Sequence, residues 1–202
     1  MIDGNIKFNC NWLKEDIQFQ KEIYAQIESA RSKIYALGLI RIYPNGIGYG
    51  NISIRGADKG TFIISGSATG GLEHLKQSDY ALVTDYNISK NTISCTGLIQ
   101  ASSESLTHAG IYQSCLEVGA VLHVHCLWLW NILLNAYPTT SVEIEYGTPE
   151  MADAVGKLAL EIKDREEKII VMGGHHEGIL VYGSTLKEAI VQLLNIYNRY
   201  KI

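Results

Sequence analysis

Residues 120–126, Ala-Val-Leu-His-Val-His-Cys, constrain this chain more than any other stretch. The segment is short, apolar and bounded upstream by Gly119, which reads as a buried β-strand. Strand side chains alternate between faces, so His123 and His125 project the same way, about 6–7 Å apart along the backbone. A single imidazole in an apolar strand is ordinary when its hydrogen bonds are met. Two on one face incur desolvation twice, and sharing one metal ion offsets that cost. The alternative is a pair of core histidines, each with its own hydrogen bonds.

At 202 residues the chain is long enough for one well-buried domain spanning 1–202. Hydrophobic residues make up 47% and charged residues 19%, which excludes a disordered chain. Seventeen basic and 21 acidic residues leave a net charge of −4, so neither a nucleic-acid nor an anionic-membrane surface is expected. An anionic substrate would be held by local groups. Cys10, Cys95, Cys115 and Cys126 form no C-x-x-C pair and read as reduced thiols of a cytoplasmic protein. No basic stretch followed by an apolar segment opens the sequence, and the apolar run at 126–134 is too short to span a bilayer.

Periodicity gives the remaining elements. Residues 1–15 show no pattern and read as a lead-in; 17–37 recur at helical spacing, with Gly38 as the stop. After a glycine-rich entry ending at Gly50, residues 51–55 and 61–64 form a hairpin about the turn at 56–60. Residues 65–71, Ser-Gly-Ser-Ala-Thr-Gly-Gly, offer hydroxyls and amides to an oxyanion but lack the nucleotide P-loop pattern. Strands follow at 80–85 and 88–94 about a turn at Asn87. A helix opens at 101–104, capped by Ser102 or Ser103, with Glu104 in its first turn, where the helix dipole alone accounts for a carboxylate. His108 lies four residues on, on the same face. An apolar helix covers 128–134, with Trp128 and Trp130 as core or subunit-contact residues. A strand at 142–146, a helix from 147 to about 165, strands at 168–172 and 179–183 and a helix at 184–200 complete the chain. This alternation, with its several hairpins, predicts an α/β or α+β fold with helices on both faces of the sheet.

A third source of imidazole sits directly after a strand, at Gly174-His175-His176-Glu177. A catalytic zinc site takes three protein ligands and leaves a position open; three neutral imidazoles leave the ion fully dipositive.

Taken together, these motifs resemble the class II aldolase/adducin family. Gly50 with 51–55, Ile64-Ser65-Gly66, Ser102-Ser103-Glu104 with His108 and Tyr112, the 120–125 strand, and Gly174-His175 through Gly183 occur in the family's order and cover most of the chain. The resemblance implies a three-layer α/β/α domain around a central, mostly antiparallel sheet, assembled as a homotetramer in the cytoplasm. It implies Zn²⁺, or another divalent ion such as Co²⁺ or Mn²⁺, on His123, His125 and a histidine of the 175–176 pair. His175 is the choice, with His176 and Glu177 as alternatives. Glu104 becomes the acid/base, while Asn51, Ser65, Gly66, Ser102 and Ser103 line the substrate pocket. The activity implied is aldol cleavage of a small sugar, sugar phosphate or hydroxyketone through a metal-stabilised enediolate. An epimerase or dehydratase on the same fold, or a non-catalytic assembly domain, is the alternative. Residues 65–70 replace the family's familiar Thr-Pro-Ser-Gly form, which leaves open whether the substrate carries a phosphate.

Overall fold

Alternation along the strands sorts the apolar side chains into two layers, and the helices follow them. The computed structural model describes residues 5–201. Eight of its strands form one sheet, in the order β1 (Asn9–Leu13), β7 (Thr92–Thr96), β6 (Tyr80–Asn87), β5 (Phe62–Ser65), β4 (Asn51–Arg55), β8 (Ala120–His125), β10 (Gly178–Gly183) and β9 (Ile169–Val171). Only the β1–β7 pairing is parallel. A small hairpin, β2 (Arg41–Ile42) with β3 (Gly48–Tyr49), stands beside it.

On one face Val121 and Leu180 pack against α2 (Ser105–Ser114), through Leu106 and Ala109, and α4 (Pro149–Glu161), through Met151 and Val155. On the other, Leu122, Val124, Ile179 and Val181 meet α1 (Lys21–Ala36), α3 (Leu127–Leu133) and α5 (Leu186–Tyr200). Each fully buried aliphatic side chain contributes about 1.5–3 kcal/mol. The result is the expected three-layer α/β/α arrangement. His123 and His125 share the parity of Val121 and so face the α2/α4 layer, at the C-terminal end of β8.

Helices α2 and α4 touch backbone to backbone. A Cβ at Gly110 would collide with the carbonyl oxygen of Ala152, and one at Gly156 would lie 2.9 Å from the carbonyl oxygen of Gly110. The middle of α2 is thereby held against the first half of α4. Just ahead of α4, a Cβ at Gly147 would lie 3.5 Å from Oε1 of Glu104, the N-cap residue of α2.

Several elements depart from expectation. Residues 9–13 are not a lead-in but the parallel edge strand β1; their half-exposed side chains carry little periodic signal. Residues 1–4, the beginning of that expected lead-in, lie outside the described residues. The turn after β6 centres on 88–91, where Asn91 takes φ 52°, rather than on Asn87. Residues 142–146 form no strand. Instead, a Cβ at Gly174 would collide with the carbonyl oxygen of Ile144, so this segment is pressed end-on against the β9–β10 loop. Among the described residues no helix is long and apolar enough to cross a membrane.

Candidate metal centre

Antiparallel pairing brings three separate parts of the chain to the end of β8. Asn51 of β4 stands opposite His123, and Gly178 of β10 opposite His125. The loop between β9 and β10 turns through His175, whose carbonyl accepts from Gly178 N–H at 2.9 Å. His123, His125 and His175 are all buried and offer ligand nitrogens within 4.8 Å of one another. Their ring centroids lie 4.9, 5.1 and 4.7 Å apart. Tetrahedral zinc–nitrogen bonds of about 2.0–2.1 Å set ligand atoms about 3.3–3.4 Å apart, a modest approach from nitrogens already within 4.8 Å.

The hydrogen bonds bear on which nitrogen each ring offers. Tyr43 Oη donates to Glu177 Oε2 at 2.9 Å, so its oxygen accepts from His125 Nδ1–H at 2.8 Å. That tautomer leaves the lone pair on Nε2. His123 Nδ1 is 3.2 Å from the Asn51 carboxamide, and among the described residues nothing hydrogen-bonds His123 Nε2. As placed, Asn51 Nδ2 faces His123 Nδ1, while Asn51 Oδ1 is buried with no partner among the described residues. Turning the amide end for end pairs its oxygen with Nδ1–H and gives His123 the ligating tautomer.

Gly178 supplies the room. A Cβ there would sit 2.6 Å from His175 Cδ2 and 3.2 Å from His123 Nε2. Burial holds all three imidazoles below the ordinary histidine pKa, His123 down to about 3, so they stay neutral and able to ligate. A buried nitrogen without a protein partner, neutral rings and a glycine-lined gap all fit a divalent ion.

His175 is 4% exposed, whereas the His176 side chain is 70% exposed, so of the two it is His175 that stands with His123 and His125. Glu177 stands behind His125, reaching it through Tyr43. Its φ of 71°, unusual for a residue with a side chain, accompanies that bond.

Glu104 is buried at the start of α2 and is its N-cap residue rather than part of the first turn. Its side chain makes no capping bond; Oε2 accepts from Thr107 Oγ1 at 2.7 Å. Glu104 shares one narrow crevice with Asn51, Gly66, Ser102, Ser103, His123 and His125. Ser65 does not line it, and its Oγ accepts from Ile52 N–H at 3.2 Å. The Gly66 and Ser67 amides already donate to the carbonyls of Asp79 and Gln100. Below the loop, the buried Arg31 guanidinium donates to the carbonyls of Thr69, Leu72 and Glu73.

Strand β4 organises the wall with alternate residues. Asn51 meets His123, and Ser53 Oγ is 2.7 Å from His108 Nδ1 and 2.8 Å from Tyr112 Oη. Arg55 donates to the Cys115 carbonyl at 2.9 Å, tying down the end of α2. On the outer side lies an open cleft of about 520 Å³, lined in part by Tyr43, Tyr146, His175 and Glu177. Periodicity gives no role to Tyr43, which sits in a hairpin turn, and places Tyr146 at the end of the expected 142–146 strand. The Tyr146 ring instead lies 4.6 Å from that of His175.

Solved structures with the same fold include L-fuculose 1-phosphate aldolase, at 20% identity and a TM-score of 0.65, covering 90% of this chain and 86% of that one. A sugar-phosphate aldolase from Thermotoga maritima is 16% identical, with a TM-score of 0.65 over 88% of this chain and 91% of the other. An aldolase II superfamily protein from Pseudomonas syringae is 17% identical, with a TM-score of 0.61 over 90% and 75%. No curated protein matches the sequence. Residues 43–202 match the family model for the Class II Aldolase and Adducin N-terminal domain. With nearly four-fifths of its length matched, the chain belongs to that family.

Proposed function

We propose that this chain is a divalent-metal-dependent aldolase that cleaves a carbon–carbon bond in a small sugar, sugar phosphate or hydroxyketone. The observation that carries the reading is the convergence of His123, His125 and His175, with ligand atoms within 4.8 Å, at a crevice that also holds Glu104. A divalent ion there supplies Lewis acidity, polarising a substrate carbonyl and stabilising negative charge that develops on its oxygen. Zinc suits three imidazoles, and cobalt or manganese can substitute.

The protein's own groups do the rest. Tyr43 and Asn51 hold His125 and His123 in orientation. Glu104 takes a proton from the substrate as the bond breaks and returns one to the carbon left behind. Ser102, Ser103, Asn51 and Gly66 line the crevice and position the substrate's oxygens, while Ser65 holds the loop through Ile52. Among the described residues neither the crevice nor the outer cleft is lined by Lys or Arg, which favours a substrate bound chiefly through hydroxyls. A purely structural, assembly-only role gives no reason to bury three imidazoles and a carboxyl group together. A cytoplasmic homotetramer is part of the same proposal.

The test is a screen of sugar phosphates and free hydroxyketones with added Zn²⁺, Co²⁺ or Mn²⁺, following aldehyde release. Glu104→Gln should keep the bound metal and lose on the order of 10²–10⁴ in turnover. Full activity in Glu104→Gln would remove the carboxylate from the mechanism.

A further inference from the structure

The family match begins at residue 43, yet the metal centre leans on residues far ahead of it. The arm leading into β1 is fixed by Asn91, whose Nδ2 donates to the Lys7 carbonyl at 2.9 Å and whose carbonyl accepts from Asn9 N–H at 2.9 Å. Phe8 enters the core that contains Tyr146, and Ile6 packs against it. So anchored, Lys7 Nζ lies 3.0 Å from the Tyr146 carbonyl oxygen, 3.1 Å from Glu145 Oε2 and 3.7 Å from the centroid of the Tyr146 ring.

The pair with Glu145 is half in solvent and contributes little. The carbonyl bond and the cation–π contact act on a ring that is 4% exposed and lies 4.6 Å from the His175 ring. Tyr146 has no helix or strand to hold it, since residues 142–146 pair with no strand. Lys7 adds a hold from outside the segment.

We propose that Lys7 is a positioning residue of the metal centre, clamping Tyr146 against His175 so that the N-terminal arm completes the wall of the site. The proposal rests on the reading of His175 as a ligand. It makes the arm a determinant of metal affinity, although it lies outside the matched domain and touches no ligand itself.

The clamp is read first without metal. In dialysed protein, K7M should move the His175 Cε1–H resonance, which senses the ring current of Tyr146, and K7R should restore it. In competition with a chromophoric chelator, K7M should weaken zinc binding by on the order of tenfold or less, since Lys7 acts one ring beyond the ligand. K7R should return affinity to within about twofold, because a guanidinium also donates and stacks. K7Q, a second variant that keeps a donor but no charge, should fall between K7M and wild type. A K7M protein with an unmoved His175 resonance, or with wild-type zinc affinity, overturns the proposal, as does a K7Q protein identical to wild type. Should the resonance move while wild-type protein binds no zinc, the clamp stands and the reading of His175 as a ligand falls.

Discussion

Replacing Tyr43 by phenylalanine isolates one hydroxyl. The ring remains, with its 4.4 Å contact to Tyr49 and its edge toward His125. What is lost is the oxygen 2.8 Å from His125 Nδ1 and 2.9 Å from Glu177 Oε2. In the proposed site that oxygen fixes the tautomer that would present Nε2 to the ion, and it links the Glu177 carboxylate to the imidazole. A hydrogen bond to a charged group is worth about 1.5–3 kcal/mol, and each 1.4 kcal/mol is tenfold in binding. One such bond therefore corresponds to roughly ten- to hundredfold in metal affinity, the range found for outer-shell partners of ligating histidines. Glu177→Gln keeps an acceptor for Tyr43 and should cost less. The double variant should cost less than the sum of the two, because both act along one chain of bonds. Chelator competition at pH 7.5 measures all three. If Tyr43→Phe binds zinc within twofold of wild type, the hydroxyl does not orient the ligand and the relay has no functional content.

His108 carries a pH signature. Burial, helped by the neighbouring His123, holds its pKa well below the ordinary value. The unfolded chain takes up this proton near pH 6.5, and the folded chain does so only at much lower pH. Stability from this group is thus fully present above about pH 6.5 and falls as pH drops below it, by up to about 1.4 kcal/mol per pH unit. The His108 Cε1–H resonance should not titrate between pH 8 and 5.5; a midpoint near 6.5 would show that the ring is not sealed in. Gly110→Ala places a methyl group against the Ala152 carbonyl and should cost about 1–3 kcal/mol, lowering the urea midpoint at unchanged m-value. An unchanged midpoint would mean that α2 and α4 separate without penalty.

The parts of the site legible in the sequence are those carried by regular elements. Period two in β8 puts His123 and His125 on one face, and a four-residue step along α2 puts His108 on the side of Glu104. The sheet and its two helical layers follow from the same periodicities. Long-range contacts between irregular segments leave no such trace. Tyr43 meets His125 and Glu177 across 82 and 134 residues, and Lys7 meets Tyr146 across 139. Residues 142–146 alternate in polarity as a strand does, but the close approach of Gly174 to Ile144 gives them another place to pack. Strand β1 leaves no periodic signal because five half-exposed residues at a parallel edge resemble a loop in composition. The resemblance alone favours His175 over His176; the burial that separates them comes from the loop's conformation.

Metal binding by the dialysed protein bears most directly on the function. Titration with Zn²⁺ should show one ion per chain, and His123→Ala should lose at least about a hundredfold in affinity while keeping its fold. A wild-type protein that binds no divalent ion, or a His123→Ala protein that binds it as tightly as wild type, would contradict three imidazoles acting as one ligand set.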